Sequence, residues 1–125
     1  MWLVTDKIDD FYLLDKKFGK IKERMFVEVF CYKKYLEAMK FGFVNVALNV
    51  KNKADVKEVL KNKVNMVTMS LEFAKNNESD VLSLNNNGVK ILGYTAKNFD
   101  DVRKFEGKID MFYYDGEEDI DTYIR

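Results

Sequence analysis

The sequence predicts an α/β fold of mostly parallel βα repeats with about six strands. Short apolar runs recur about every 20 residues, and a helical pattern of apolar residues follows nearly every run. This alternation is typical of parallel sheets, in which a helix connects one strand to the next. Because no linker or low-complexity segment interrupts the pattern, we expect a single βα-repeat domain over residues 1–125.

The strands are predicted where apolar, β-branched and aromatic residues form short runs. Turn-forming or charged residues bound most of these runs, and such residues favour loops over strands. The predicted strands span residues 2–5, 25–30, 43–49, 65–69, 89–95 and 109–114.

The helices are predicted from apolar residues at the i, i+3, i+4 and i+7 spacing, which forms one face of a helix. On the second helix, Tyr32, Leu36 and Met39 share such a face. Ser79 is the expected N-cap of a later helix, and the three asparagines before Gly88 are expected to form a left-handed turn. The predicted helices span residues 8–18, 32–41, 54–62, 71–74, a segment beginning at 80, and 99–106.

Composition excludes several classes of function. The 21 basic and 21 acidic residues balance, so we expect no binding to nucleic acid. No apolar stretch approaches the ~20 residues of a membrane helix, and the single cysteine, Cys31, is expected to be a packed thiol in a reducing, cytoplasmic compartment. The sequence contains no histidine, which excludes imidazole acid/base chemistry and histidine metal ligands within this chain.

Polar residues follow the predicted strands, and the carboxyl ends of parallel strands meet at one edge of a sheet. The carboxylates there, Asp6, Glu28 and Asp115, could together bind a hard cation such as Mg²⁺ or Ca²⁺. Lys7 could neutralise a phosphate. The alternative interpretation, which we favour for most polar residues at these ends, is that they are ordinary turn and cap residues.

Six short segments resemble, in order and spacing, the carboxyl-terminal part of glycerophosphodiester phosphodiesterase-like TIM barrels. They are residues 3–9 (LVTDKID), 26–30 (FVEVF), 35–43 (YLEAMKFGF), 67–69 (VTM), 88–98 (GVKILGYTAKN) and 108–115 (KIDMFYYD). The resemblance implies a partial TIM-barrel-like sheet. It also implies a substrate or phosphate rim at Lys7, Tyr94, Thr95 and Asn98, and metal ligands at Asp6, Glu28 and Asp115.

The departures from that family concern its chemistry. The family's catalytic histidines lie on amino-terminal strands that have no counterpart here, and Tyr94 stands where the family usually has tryptophan. We therefore expect no catalytic residues, an incomplete phosphodiesterase-like domain, and residual binding of metal or phosphate. Since a TIM barrel has eight strands, the chain is expected to form a homodimer or to be completed by a second chain. The alternatives are a non-enzymatic interaction domain and one part of a phosphodiesterase whose other part is a separate polypeptide.

Overall fold

A computed structural model describes residues 3–5, 11–18, 20 and 25–115. The chain divides into two compact units, Met1–Asn49 and Val50–Arg125. The first unit contains β1 (Leu3–Thr5), α1 (Phe11–Phe18), β2 (Met25–Val29), α2 (Tyr32–Lys40) and β3 (Asn45–Asn49). The second contains α3 (Lys53–Lys61), β4 (Met66–Ser70), α4 (Leu71–Asn76), α5 (Glu78–Asn86), β5 (Lys90–Ala96), α6 (Phe99–Lys104) and β6 (Met111–Tyr114).

In the first unit, three parallel strands lie in the order of the chain. Val4 of β1 pairs with Phe26 of β2, and Val27 of β2 pairs with Val46 of β3. Because side chains alternate along a strand, one sheet face carries Val27 and Val46, and both are fully buried. The other face carries polar groups among its apolar ones. A sheet covered on both faces is typical of parallel βα structure.

In the second unit, β4, β5 and β6 are also parallel and in chain order. Val67 pairs with Ile91, and Leu92 pairs with Met111. The β5–β6 register shifts between Gly93 and Ala96, as at a β-bulge, which re-aims the side chains beyond it. A Cβ atom at Gly93 would lie 2.6 Å from Cδ2 of Leu71. Glycine therefore lets α4 approach β5 closely.

Three of the four described helices of the second unit, α3, α4 and α6, begin at side-chain caps, whereas α5 begins after Asn77 without one. Asn52 accepts a hydrogen bond from the Asp55 amide at 2.9 Å, and Ser70 accepts one from the Phe73 amide at 3.0 Å. Such caps satisfy amide groups that the first turn of a helix leaves without backbone partners. In the first unit, Cys31 precedes α2 in an extended conformation and makes no side-chain cap.

These strands and helices confirm the predicted α/β class of mostly parallel βα repeats, with six strands in the described residues. Their arrangement within each unit is consistent with a partial TIM-barrel-like sheet. That residues 1–125 form a single domain stays a prediction.

Two local predictions about α5 are wrong. The helix begins at Glu78 after Asn77, not after Ser79. The Asn77 side-chain amide donates to the Phe73 carbonyl at 2.9 Å, so Asn77 is bonded to the end of α4 and α5 begins directly after it. Asn85 and Asn86 continue the helix, and only Gly88, with φ of +73°, adopts the left-handed conformation.

The apolar stripe expected on α2 is not its buried face. Tyr35 and Ala38 are buried, whereas Leu36 is 50% exposed and Met39 is 38% exposed. Cys31, expected to be packed, is exposed. Spacing alone identified apolar residues on one side of α2, but the sheet contacts a different side.

Candidate functional site

At the strand ends of the first unit, a carboxylate and an amide lie together. Glu28 precedes the last residue of β2, and Asn49 is the last residue of β3. Since Glu28 pairs with Ala47, alternation places Glu28 and Asn49 on the same sheet face. The Asn49 Nδ2 group donates to Glu28 Oε2 at 3.4 Å. Glu28 is half-buried and Asn49 is buried, so these two polar groups meet where water has little access.

At the strand ends of the second unit, aromatic rings lie in contact. The rings of Tyr94 on β5 and Tyr113 on β6 pack edge to face, with centroids 6.4 Å apart. The Tyr114 ring on β6 lies 6.1 Å from that of Phe99 at the start of α6. Both geometries are favourable for aromatic pairs. The predicted rim residue Tyr94 is thus half-buried and belongs to a packed aromatic contact.

The remaining predicted residues of the second unit have different environments. Asn98 is the N-cap of α6, where its side chain accepts from the Asp101 amide at 2.9 Å. Thr95 is exposed and lines a groove between helices. Asp115 is exposed, and its backbone amide donates to the Ala96 carbonyl at 2.8 Å. For Asn98 this agrees with the interpretation as a helix cap.

The predicted metal ligands can be located only in part. Asp6 and the predicted phosphate ligand Lys7 lie outside the described residues. Glu28 belongs to the first unit and Asp115 to the second. Among the described residues, no group of three or more histidine, cysteine, aspartate or glutamate side chains could hold a metal ion. A Mg²⁺ or Ca²⁺ site at Asp6, Glu28 and Asp115 therefore stays a prediction.

Sequence reasoning missed a groove in the second unit, which we call the α4–α6 groove. It has a volume of about 630 Å³ and is lined by residues of α4, α5 and α6, by Thr95 and by the turn after α6. One sequence signal could have indicated it. Lysines stand in the last turns of both α4 and α6, at Lys75 and Lys104, and both helices follow neighbouring parallel strands.

A scan against protein-family models finds no matching family, and a search of curated proteins finds no significant match. The phosphodiesterase resemblance therefore depends on the short segments quoted above. In the part of the chain that the structure describes, no helix combines the length and apolarity needed to cross a membrane.

Proposed function

We propose that this chain is a glycerophosphodiester phosphodiesterase-like domain that lacks a catalytic acid/base pair and retains weak binding of a divalent cation or a phosphate at its strand ends. The observation that carries the proposal is the Glu28–Asn49 pair, a half-buried carboxylate held by an amide at the carboxyl ends of β2 and β3. Ligands of parallel βα structures bind at this edge of the sheet.

The chemistry of the pair fits a hard cation. Carboxylate and amide oxygens are the ligands that Mg²⁺ and Ca²⁺ prefer, and rotation of the Asn49 amide would direct its oxygen rather than its nitrogen toward such an ion. Asp6 and Lys7 follow β1 in the sequence and are proposed to add a second carboxylate and a phosphate partner. The corresponding candidates in the second unit are Tyr94 and Thr95 near the end of β5, Asn98 after β5 and Asp115 after β6.

The absence of histidine is why we propose that a phosphodiester is bound but not hydrolysed. A phosphodiesterase of the family that this chain resembles uses histidines as acid and base, and the 125 residues contain none. A bound cation could polarise a phosphodiester, but no imidazole of this chain could then transfer a proton. We therefore propose binding without hydrolysis.

Calcium titration with thermal unfolding tests this proposal. At a Ca²⁺ concentration ten times Kd, binding should stabilise the folded chain by about 1.4 kcal/mol and raise Tm by a few degrees. Glu28→Gln, which keeps the side-chain shape, should abolish the rise. Glu58→Gln on the exposed surface of α3 is the matched control and should leave it unchanged. Equal responses of both variants would contradict the cation site, and hydrolysis of a glycerophosphodiester by the purified chain would contradict the absence of catalysis.

A second candidate function, a non-enzymatic interaction domain that forms a homodimer, is favoured by the exposed apolar side chains of the first unit. Six large ones are exposed in its described residues, and the second unit adds only Leu82 among those described. Leu36 and Met39 lie one turn apart on α2, as neighbours on its surface. The six are Tyr12, Leu13, Phe30, Leu36, Met39 and Val44.

Sedimentation distinguishes this candidate from the first. If α2 mediates a symmetric dimer, Leu36→Lys with Met39→Lys should convert dimer to monomer. Leu82→Lys, at a position 58% exposed on α5, is the control and should not. A wild-type chain that sediments as a monomer at all concentrations would exclude the homodimer.

A further inference from the structure

The α4–α6 groove has a volume and an apolar lining that suit a small ligand. Its volume of about 630 Å³ lies within the range of small-molecule pockets. Its apolar lining comes from Leu71 and Ala74 of α4, Val81 of α5 and Phe105 after α6. Ala74 and Val81 are buried, whereas Leu71 and Phe105 remain partly accessible. A ligand with an apolar body would therefore remove further apolar surface from water.

Along the groove, carboxylates lie in the first turns of α4 and α6 and lysines lie in their last turns. β4 and β5 are parallel neighbours, so α4 and α6, which follow them, both begin at the same edge of the sheet. The carboxylates Glu72 and Asp101 lie in the first turns of these helices, and the lysines Lys75 and Lys104 lie in their last turns. Glu72 and Asp101 therefore lie at the end of the groove nearer the strand ends, which we call the acidic end. Lys75 and Lys104 lie about one helical turn further along, at what we call the basic end.

The basic end carries three lysines and one carboxylate. Lys108, in the turn after α6, adds a third ammonium group to Lys75 and Lys104. Within residues 25–115, none of the three forms a salt bridge with another side chain. Glu78, at the start of α5, also lines the groove and offsets at most one of these charges. At the acidic end, one Asp101 oxygen accepts from the Lys97 amide at 2.9 Å.

We propose that the α4–α6 groove binds an amphiphilic organic anion, with a carboxylate or phosphate head group on an apolar chain. The head group lies at Lys75, Lys104 and Lys108, where it gains charge-assisted hydrogen bonds. The apolar chain lies over Leu71 and Phe105. The opposite orientation is disfavoured because it would place an anion against Glu72 and Asp101. This proposal is independent of the Glu28–Asn49 site.

A nuclear magnetic resonance titration of the full chain with four ten-carbon probes tests the ligand class. Decanoate and decyl phosphate should cause saturable shifts at the amides of Ala74, Val81 and Phe105. Decylammonium, with the same chain and the opposite charge, should bind about tenfold more weakly, and decanol should be intermediate. The tighter of the two anions identifies the head group. Decylammonium binding as tightly as the anions, or shifts centred on Leu36 and Met39, would overturn the proposal.

Charge variants test the orientation. Lys104→Gln with Lys108→Gln should weaken decanoate binding at least fivefold, because two of the three proposed contacts are lost. Lys57→Gln with Lys61→Gln, on exposed α3 of the same unit and outside the groove, is the matched control. An unchanged amide spectrum away from the groove shows that each variant is folded. Equal weakening by both pairs would show only a general effect of net charge and would overturn the assigned head-group position.

Discussion

The two units are built from the same βα elements but differ in how their helices are held. In the second unit, α3, α4 and α6 begin at Asn52, Ser70 and Asn98, each of which accepts a hydrogen bond from a first-turn amide. In the first unit, α2 begins after Cys31 without a side-chain cap. Three of the four described helices of the second unit thus begin at a side-chain cap, whereas α5, like α2 of the first unit, does not.

The units also differ in the kind of side chain that they expose to solvent. α2 leaves Leu36 and Met39 accessible and is positioned by burial of Tyr35 and Ala38. The second unit instead exposes charge along the α4–α6 groove. We therefore propose different partners for the two units, an apolar surface for the first and an amphiphilic anion for the second.

The largest expected effect on the free energy of unfolding comes from replacing a buried leucine, compared with an exposed one. Leu84 on α5 is fully buried, and Leu36 on α2 is 50% exposed. Leu84→Ala should lower the free energy of unfolding by about 3 kcal/mol, because it removes apolar burial and leaves a cavity. Leu36→Ala should change it by less than about 0.5 kcal/mol. Urea unfolding measures both. A loss above about 1.5 kcal/mol for Leu36→Ala would mean that α2 is buried in solution, as in a dimer.

A smaller effect is expected at the cap of α6. Asn98→Ala should lower the free energy of unfolding by about 1 kcal/mol, because the Asp101 amide loses its acceptor. Asn98→Ser retains a capping oxygen and should lower the free energy of unfolding by only about 0.3 kcal/mol. The same urea titration compares the two variants. If the serine variant is destabilised as much as the alanine variant, the side-chain cap is not what Asn98 contributes to stability.

The smallest expected effect is an increase in the free energy of unfolding, and it concerns α2 of the first unit. Cys31 already has the extended backbone of an N-cap residue, with φ of −150° and ψ of 158°. Cys31→Ser should therefore supply the missing cap of α2 and raise the free energy of unfolding by about 0.5 kcal/mol. Cys31→Ala is the control and should give no gain. Equal stabilities of these two variants would mean that the missing cap is not what distinguishes α2.

Much of the secondary structure was predictable from local chemistry. The strands were found within one or two residues in most cases, because runs such as that around Val27 and that around Val67 combine β-branched residues with flanking polar ones. The prediction failed at the start of α5, where a side chain is hydrogen-bonded to the preceding helix. Asn77 caps the end of α4 and so moved the start of α5 away from Ser79.

The candidate sites were less predictable. The expectation that polar residues gather at strand ends led to Glu28, but the contact of Glu28 with Asn49 depends on strand register. Thr95 is predicted at the rim, and it lines the α4–α6 groove within the stretch of β5 where the register to β6 shifts, between Gly93 and Ala96. No local signal reports such a shift, because it arises from the pairing of two strands.

The sequence by itself determined the α/β class, the six-strand parallel pattern and the absence of imidazole chemistry. These features depend on spacing along the chain and on residue types. Only the tertiary structure decided which side of α2 is buried, which polar groups meet at the strand ends, and that helices α4, α5 and α6 enclose a groove. Those outcomes depend on register and packing between residues far apart in the chain, which one-dimensional periodicity does not specify.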